Sequence, residues 1–82
     1  MIQVQYFARY REALGLGSEQ LEWQADFTSL AALREWLLQR GGAWRVLAEQ
    51  NLMCARNQEL CSLDEALSDG DEVAFFPTVT GG

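Results

Sequence analysis

Hydrophobic and polar residues alternate from the first positions of the chain. Ile2, Val4, Tyr6 and Ala8 share one side of an extended segment, and Gln3, Gln5 and Phe7 share the other. A period of two marks a half-buried β-strand. Phe7 is the oddity, a large aromatic in the company of two glutamines. RYREALGLG then predicts a short helical turn ended by Gly15 and Gly17, because glycine suits the left-handed position that follows a helix. SEQLEWQA resumes the alternation, with Leu21, Trp23 and Ala25 inward. The glycine-rich region between the two runs predicts a hairpin.

The period changes in DFTSLAALREWLLQRGG, where Leu30, Leu33 and Leu37 recur at helical spacing, continued by Trp36 or Arg40. Asp26 or Thr28 is the expected N-cap. Arg34 and Arg40 fall toward the end that favours cations, and Gly41–Gly42 is the expected stop. AWRVLAEQ predicts a second short helix with Trp44, Leu47 and Ala48 inward. LMCARNQELCSL predicts two short strands about a tight turn at Asn57–Gln58, since Asn tolerates left-handed conformations. Its pattern leaves two core faces open: Leu52, Cys54 and Arg56, or Met53 and Ala55. Ser68–Asp71 is a turn signal, Glu72–Phe76 a last strand, and Pro77 the end of pairing, because proline has no N–H for the ladder. One main helix among short strands predicts an α+β fold with a mixed sheet. The continuous apolar first and last strands are expected side by side at its centre.

Composition narrows the chemistry. Eighty-two residues bound the chain to one domain, expected over 1–77 with a flexible tail over 78–82. Twelve acids against six arginines give a net charge of −6, with no lysine and no histidine. Such a chain is a poor phosphate-backbone binder and suits a basic partner surface. Without His there is no imidazole base or His-ligated metal, and without Lys no Schiff-base nucleophile. Cys54 and Cys61 are too few for a zinc or iron–sulfur site from this chain alone. They read as small buried hydrophobes with reduced thiols. No signal-peptide pattern and no membrane-length apolar run are visible, which predicts a cytoplasmic protein.

FFPTVTGG raises a different possibility. Five extended residues after Pro77 reach about 17 Å, and two glycines pass where no side chain can. The reactive group would then be the Gly82 carboxylate, with Gly81 easing passage into a partner's active site. A docking patch should accompany such a tail, since large exposed apolar clusters mark binding surfaces. If Val73 and Phe75 fill the core, Phe76 is left outside, with Phe7 as its neighbour and Leu60 completing the patch. Arg11 is a candidate polar contact at its rim, and the Asp69–Asp71 acids read as turn formers.

IQVQYFARYREALG, ARNQELCSLDEALSDGDEVAFFP and the final GG together resemble the ubiquitin-like sulfur carriers, among them the small subunits of molybdopterin synthase. The resemblance spans the whole chain. Thr78 and Arg56 are mild departures from it, since a second Pro or a basic residue is common near these positions. It implies a β-grasp fold and a sulfur-donating subunit that binds no cofactor. An activating enzyme would use ATP to adenylate the Gly82 carboxylate, and a persulfide donor would convert it to a thiocarboxylate. The large synthase subunit would contact Phe7, Leu60 and Phe76, supply the acid–base residues and assemble with the carrier as a heterotetramer. The terminal sulfur would pass to a cyclic pyranopterin precursor to build the molybdopterin dithiolene. A thiamine-pathway carrier, a ubiquitin-like protein modifier and a plain binding domain are the alternatives.

Overall fold

The computed structural model describes residues 1–78. Five strands form one mixed sheet: β1 (Ile2–Tyr6), β2 (Ser18–Leu21), β3 (Met53–Arg56), β4 (Glu59–Cys61) and β5 (Glu72–Phe76). Their spatial order is β2-β1-β5-β3-β4. β1 and β5 run parallel, with Val4 opposite Val73 and Tyr6 opposite Phe75, while every other pairing is antiparallel. The expected central pairing of first and last strands is present, and the arrangement is the ubiquitin-like β-grasp.

One face of this sheet is covered. Ile2, Val4 and Tyr6 of β1 and Val73 and Phe75 of β5 are buried beneath Leu30, Leu33 and Leu37 of helix α2 (Leu30–Leu38). The helix begins later than the capping residues Asp26 or Thr28 would place it: Ser29 is the N-cap, its Oγ accepting from the Ala32 N–H at 3.2 Å. Two more first-turn N–H groups are satisfied by a neighbouring loop. The Leu30 amide donates to the Glu65 carbonyl at 3.1 Å and the Ala31 amide to that of Leu63 at 2.8 Å. This tertiary partner, invisible in local sequence, fixes where the helix starts.

Several inward positions fall elsewhere. Ala8 does not extend β1. The chain leaves the strand at Phe7, and Ala8 enters helix α1 (Ala8–Leu14) exposed, in the left-handed region at φ 54°. Tyr10 is the residue α1 buries, and Gly15 ends the helix at φ 66° as expected. β2 stops at Leu21, so Trp23 is only half-buried and Ala25 is exposed. Phe27 takes the vacated core position, fully buried with edge-on contacts to Trp23 and Trp36 at centroid distances of 6.1 and 5.5 Å. The second helix is a 3-10 helix, Gly42–Ala48, which buries Leu47 but leaves Ala48 exposed. Three residues per turn instead of 3.6 rotates the residue after Leu47 away from the core.

Arg40 continues no apolar stripe. Its guanidinium lies over the rings of Trp36 and Trp44, 5.0 and 4.4 Å from their centroids, and donates to both carboxylate oxygens of Glu19 at 2.9 and 3.2 Å. Glu19 also accepts from the Tyr6 hydroxyl at 2.8 Å. Burial, then this carboxylate, raises the Tyr6 phenol above its ordinary range. The cluster ties β1 and β2 to both helical segments. At the other end the Tyr10 hydroxyl and Arg9 both donate to Glu49, at 2.6 Å each. The Arg9 contact first, then that of Tyr10, holds the Glu49 carboxyl below its usual range.

Phe27 supplies the test of this packing. Phe27→Ala empties a site between two indoles and is expected to cost about 3–5 kcal/mol, measured by urea unfolding. A loss well under 1 kcal/mol would show that the loop between β2 and α2 is not part of the core.

Candidate functional site

Among the described residues, the opposite face of the sheet carries no helix. Period-two alternation sends Gln3, Gln5 and Phe7 outward from β1, and Glu72, Ala74 and Phe76 outward from β5. β3 resolves the ambiguity of its faces: Leu52 and Cys54 are buried, whereas Met53 is exposed on the open side, opposite Phe76 in the ladder. Ala55 shares that side and is small enough to be covered, opposite Leu60 of β4.

These positions form an open groove of about 430 Å³, with Phe7, Leu60 and Phe76 in its walls, Ala55 and Ala74 between them, and Gln5, Gln58 and Glu72 at its polar side. The alanines make the concavity, since a larger side chain at either would fill it. Leu60 is 69% exposed and Phe7 44%, among the largest apolar exposures of the described residues. Phe76 is half-buried and not fully outside, because β5 lies within the sheet and has β1 and β3 on either side. Exposed aromatic and aliphatic groups around a shallow apolar floor suit a protein partner better than a small polar ligand.

The groove is held at both ends. The Phe7 amide donates to the Phe75 carbonyl at 3.2 Å, which fixes Phe7 at the end of the β1–β5 ladder. At the other end Asn57 and Gln58 take left-handed conformations, φ 50° and 70°, in the turn between β3 and β4. Asn57 binds the start of β5 three ways: its amide N–H donates to the Glu72 carbonyl at 2.8 Å, its side-chain oxygen accepts from the Glu72 N–H at 2.9 Å, and its Nδ2 donates to Asp71 Oδ1 at 3.1 Å. Asp71 Oδ2 accepts from the Ser68 amide at 2.9 Å. The acidic turn thus builds the hairpin that carries Leu60. Gln5 Nε2 donates to the Glu72 carboxylate across the β1–β5 pair.

Arg11 lies elsewhere. Burying Tyr10 turns the next residue of α1 toward the loop after the helix, where Arg11 lines a separate concavity with Glu12, Gly15 and Leu16. Its side chain lies over Gly17: a Cβ there would stand 3.2 Å from Arg11 Nε. Arg11 is therefore not at the rim of the Phe7 groove. The chain leaves β5 at the groove's Phe7–Phe76 end. Pro77 is buried, and Thr78, placed in the tail from sequence, is half-buried with its hydroxyl donating to the Asn51 carbonyl. Gly81 and Gly82 lie outside the described residues.

The sequence pattern of the ThiS family matches residues 4–82. The chain belongs to this family. Among its relatives are the molybdopterin synthase sulfur carrier subunits of Haemophilus influenzae and Escherichia coli, each 46% identical over 83 aligned positions that cover 100% of both chains. Among solved structures, small archaeal modifier protein 1 of H. volcanii is similar, at 25% identity and a TM-score of 0.77 over 95% of this chain and 97% of that one. A chain of a protein–protein complex of subunits 1 and 2 of the molybdopterin-converting factor of Helicobacter pylori shares the fold. Its TM-score is 0.66 at 23% identity, over 99% of this chain and 97% of that one. Of the groove's apolar lining in this ThiS family member, the sequence pattern brought together Phe7, Leu60 and Phe76 but not Ala55 and Ala74. Once Leu52 and Cys54 are inward, the same alternation would have placed Met53 and Ala55 on the open face.

Leu60 separates a docking role from a folding role. Leu60→Asp exchanges an exposed apolar group for a charge and is expected to change unfolding free energy by no more than about 0.5 kcal/mol, by denaturant titration. A loss above about 2 kcal/mol would mean that Leu60 supports the core.

Proposed function

We propose that this chain is the sulfur carrier subunit of a molybdopterin synthase. The observation that carries the reading is the 46% identity, end to end over both chains, with proteins that bear that name. The groove of the open face supports it, since the chain departs at the groove's Phe7–Phe76 end. The acidic surface and exposed Phe7 and Leu60 suit a partner with an apolar, basic-rimmed contact, and the large synthase subunit is the proposed occupant. Four residues follow Thr78 in the sequence, and fully extended they reach at most about 14 Å.

The proposed chemistry follows from what a carboxylate lacks. An anionic carboxylate has no leaving group and resists nucleophiles. ATP supplied through an activating enzyme converts the Gly82 carboxylate to an acyl adenylate with release of pyrophosphate. The outer sulfur of a persulfide donor then forms the C–S bond as AMP departs, and a thiol attacks the donor-side sulfur of the resulting acyl disulfide, becoming a disulfide with the donor and releasing the thiocarboxylate. Its sulfur attacks the pyranopterin precursor in the large subunit's active site, and water later returns the carboxylate. Gly81 and Gly82 thread the narrow entrance because they have no side chain to collide. The chain has no histidine and no lysine to serve these steps, so the acid and base belong to its partners. The body's role is to bind and aim. No described helix is long and apolar enough to cross a membrane, and we place the reaction in the cytoplasm, where thiols stay reduced.

The fold is shared with a small archaeal modifier, so conjugation to other proteins is the second reading. One measurement separates them. After incubation with ATP, the activating enzyme and a sulfide source, the C-terminal peptide should gain about 16 Da, oxygen replaced by sulfur, and removal of Gly82 should abolish the gain. Formation of larger protein adducts without a thiocarboxylate would contradict the carrier reading.

A further inference from the structure

Neither cysteine takes part in the proposed sulfur transfer, yet the fold places them together. Both are free thiols. Cys54 of β3 is the direct partner of Cys61 of β4, so their side chains share a face of the antiparallel pair. Directly opposed residues have Cα atoms about 4.5–5.5 Å apart, inside the roughly 4.4–6.8 Å that a disulfide spans. The Cys54 thiol is already turned across the gap, donating to the Cys61 carbonyl at 3.3 Å. Access is one-sided. Cys54 is buried, whereas Cys61 is half-exposed on the edge strand of the sheet. Burial, reinforced by Cys61, pushes the Cys54 thiol up to about 12, which leaves Cys61 as the thiol that meets reagents from solvent.

We propose that Cys54 and Cys61 form a reversible cross-strand disulfide by exchange with low-molecular-weight disulfides of the glutathione type. The Cys61 thiolate attacks one sulfur of the small disulfide, forms a mixed disulfide and expels the first small thiolate. Cys54 then attacks the Cys61 sulfur, expels the second and gives up its proton. Two protein thiols are oxidised and one small disulfide is reduced to two thiols. The bond closes on β4, whose only ladder partner among the described strands is β3. Leu60 and Gln58, in the wall of the open-face groove, precede Cys61 on that hairpin. Oxidation therefore pins the groove wall to the sheet. The inference stands on the β3–β4 register and is independent of the carrier role.

The native protein, without denaturant, is treated with oxidised glutathione and weighed intact. The expected result is a loss of about 2 Da, restored by dithiothreitol, with a digest showing Cys54 and Cys61 in one cross-linked peptide. Cys54→Ala should stop at a single glutathione adduct, and Cys61→Ser should stay unmodified. Amide exchange of Leu60 and Cys61 should slow at least about threefold in the oxidised form. Persistent glutathione adducts on the native protein, a disulfide formed only in urea, or unchanged exchange would overturn the proposal.

Discussion

The parallel pairing of β1 with β5 is the constraint from which the rest follows. Parallel neighbours cannot be joined by a tight turn and need a crossover connection. Here the crossover is nearly the whole chain between the two strands: two helices, a 3-10 helix and three further strands. The helical segments pack on one face, where Ile2, Val4, Val73 and Phe75 are fully buried. Among the described residues no helix covers the other face. Because the two strands point the same way, they also finish together, so that Phe7 and Phe76 meet at the end where the chain departs through Pro77 and Thr78. Groove and exit are neighbours for a topological reason.

Where two-residue or helical periodicity acted alone, the sequence was easy to read. Ile2, Val4 and Tyr6, the leucines of α2, Val73 and Phe75, and the outward Phe7 all follow from it, as does the Asn57–Gln58 turn from the tolerance of Asn for positive φ. The misreadings occur where distant contacts override local pattern. Ser29 caps α2 because carbonyls of Leu63 and Glu65 receive the next N–H groups. Phe27 is core because β2 ends early and two indoles close around it. Ala48 points outward because the helix there is wound more tightly. Arg11 leaves the docking face because Tyr10 must be buried one residue earlier. Each of these needs a partner that a single window of sequence does not contain.

Charge is divided in the same way between building and binding. Arg9, Arg40 and Arg56 all have acidic partners within the chain, Glu49, Glu19 and Glu65. Arg56 also donates to the Ala66 carbonyl at 2.8 Å, and Arg40 adds two aromatic faces. These cations hold segments together, and the surplus of acids gives the surface its sign. A basic partner would be attracted over distance, while Phe7, Leu60 and Phe76 would set the contact itself. Under the proposed function the folded body would recognise and orient, and reactivity would reside in the terminus.

The proposed working surface of this chain is the helix-free face of the sheet. Amide chemical-shift mapping during titration with the large synthase subunit tests it. Perturbations are expected to concentrate at Phe7, Leu60, Ala74 and Phe76, with the outer surface of α2 unchanged. Perturbations centred on Glu35 and the rest of α2's exposed surface, with the groove silent, would contradict it.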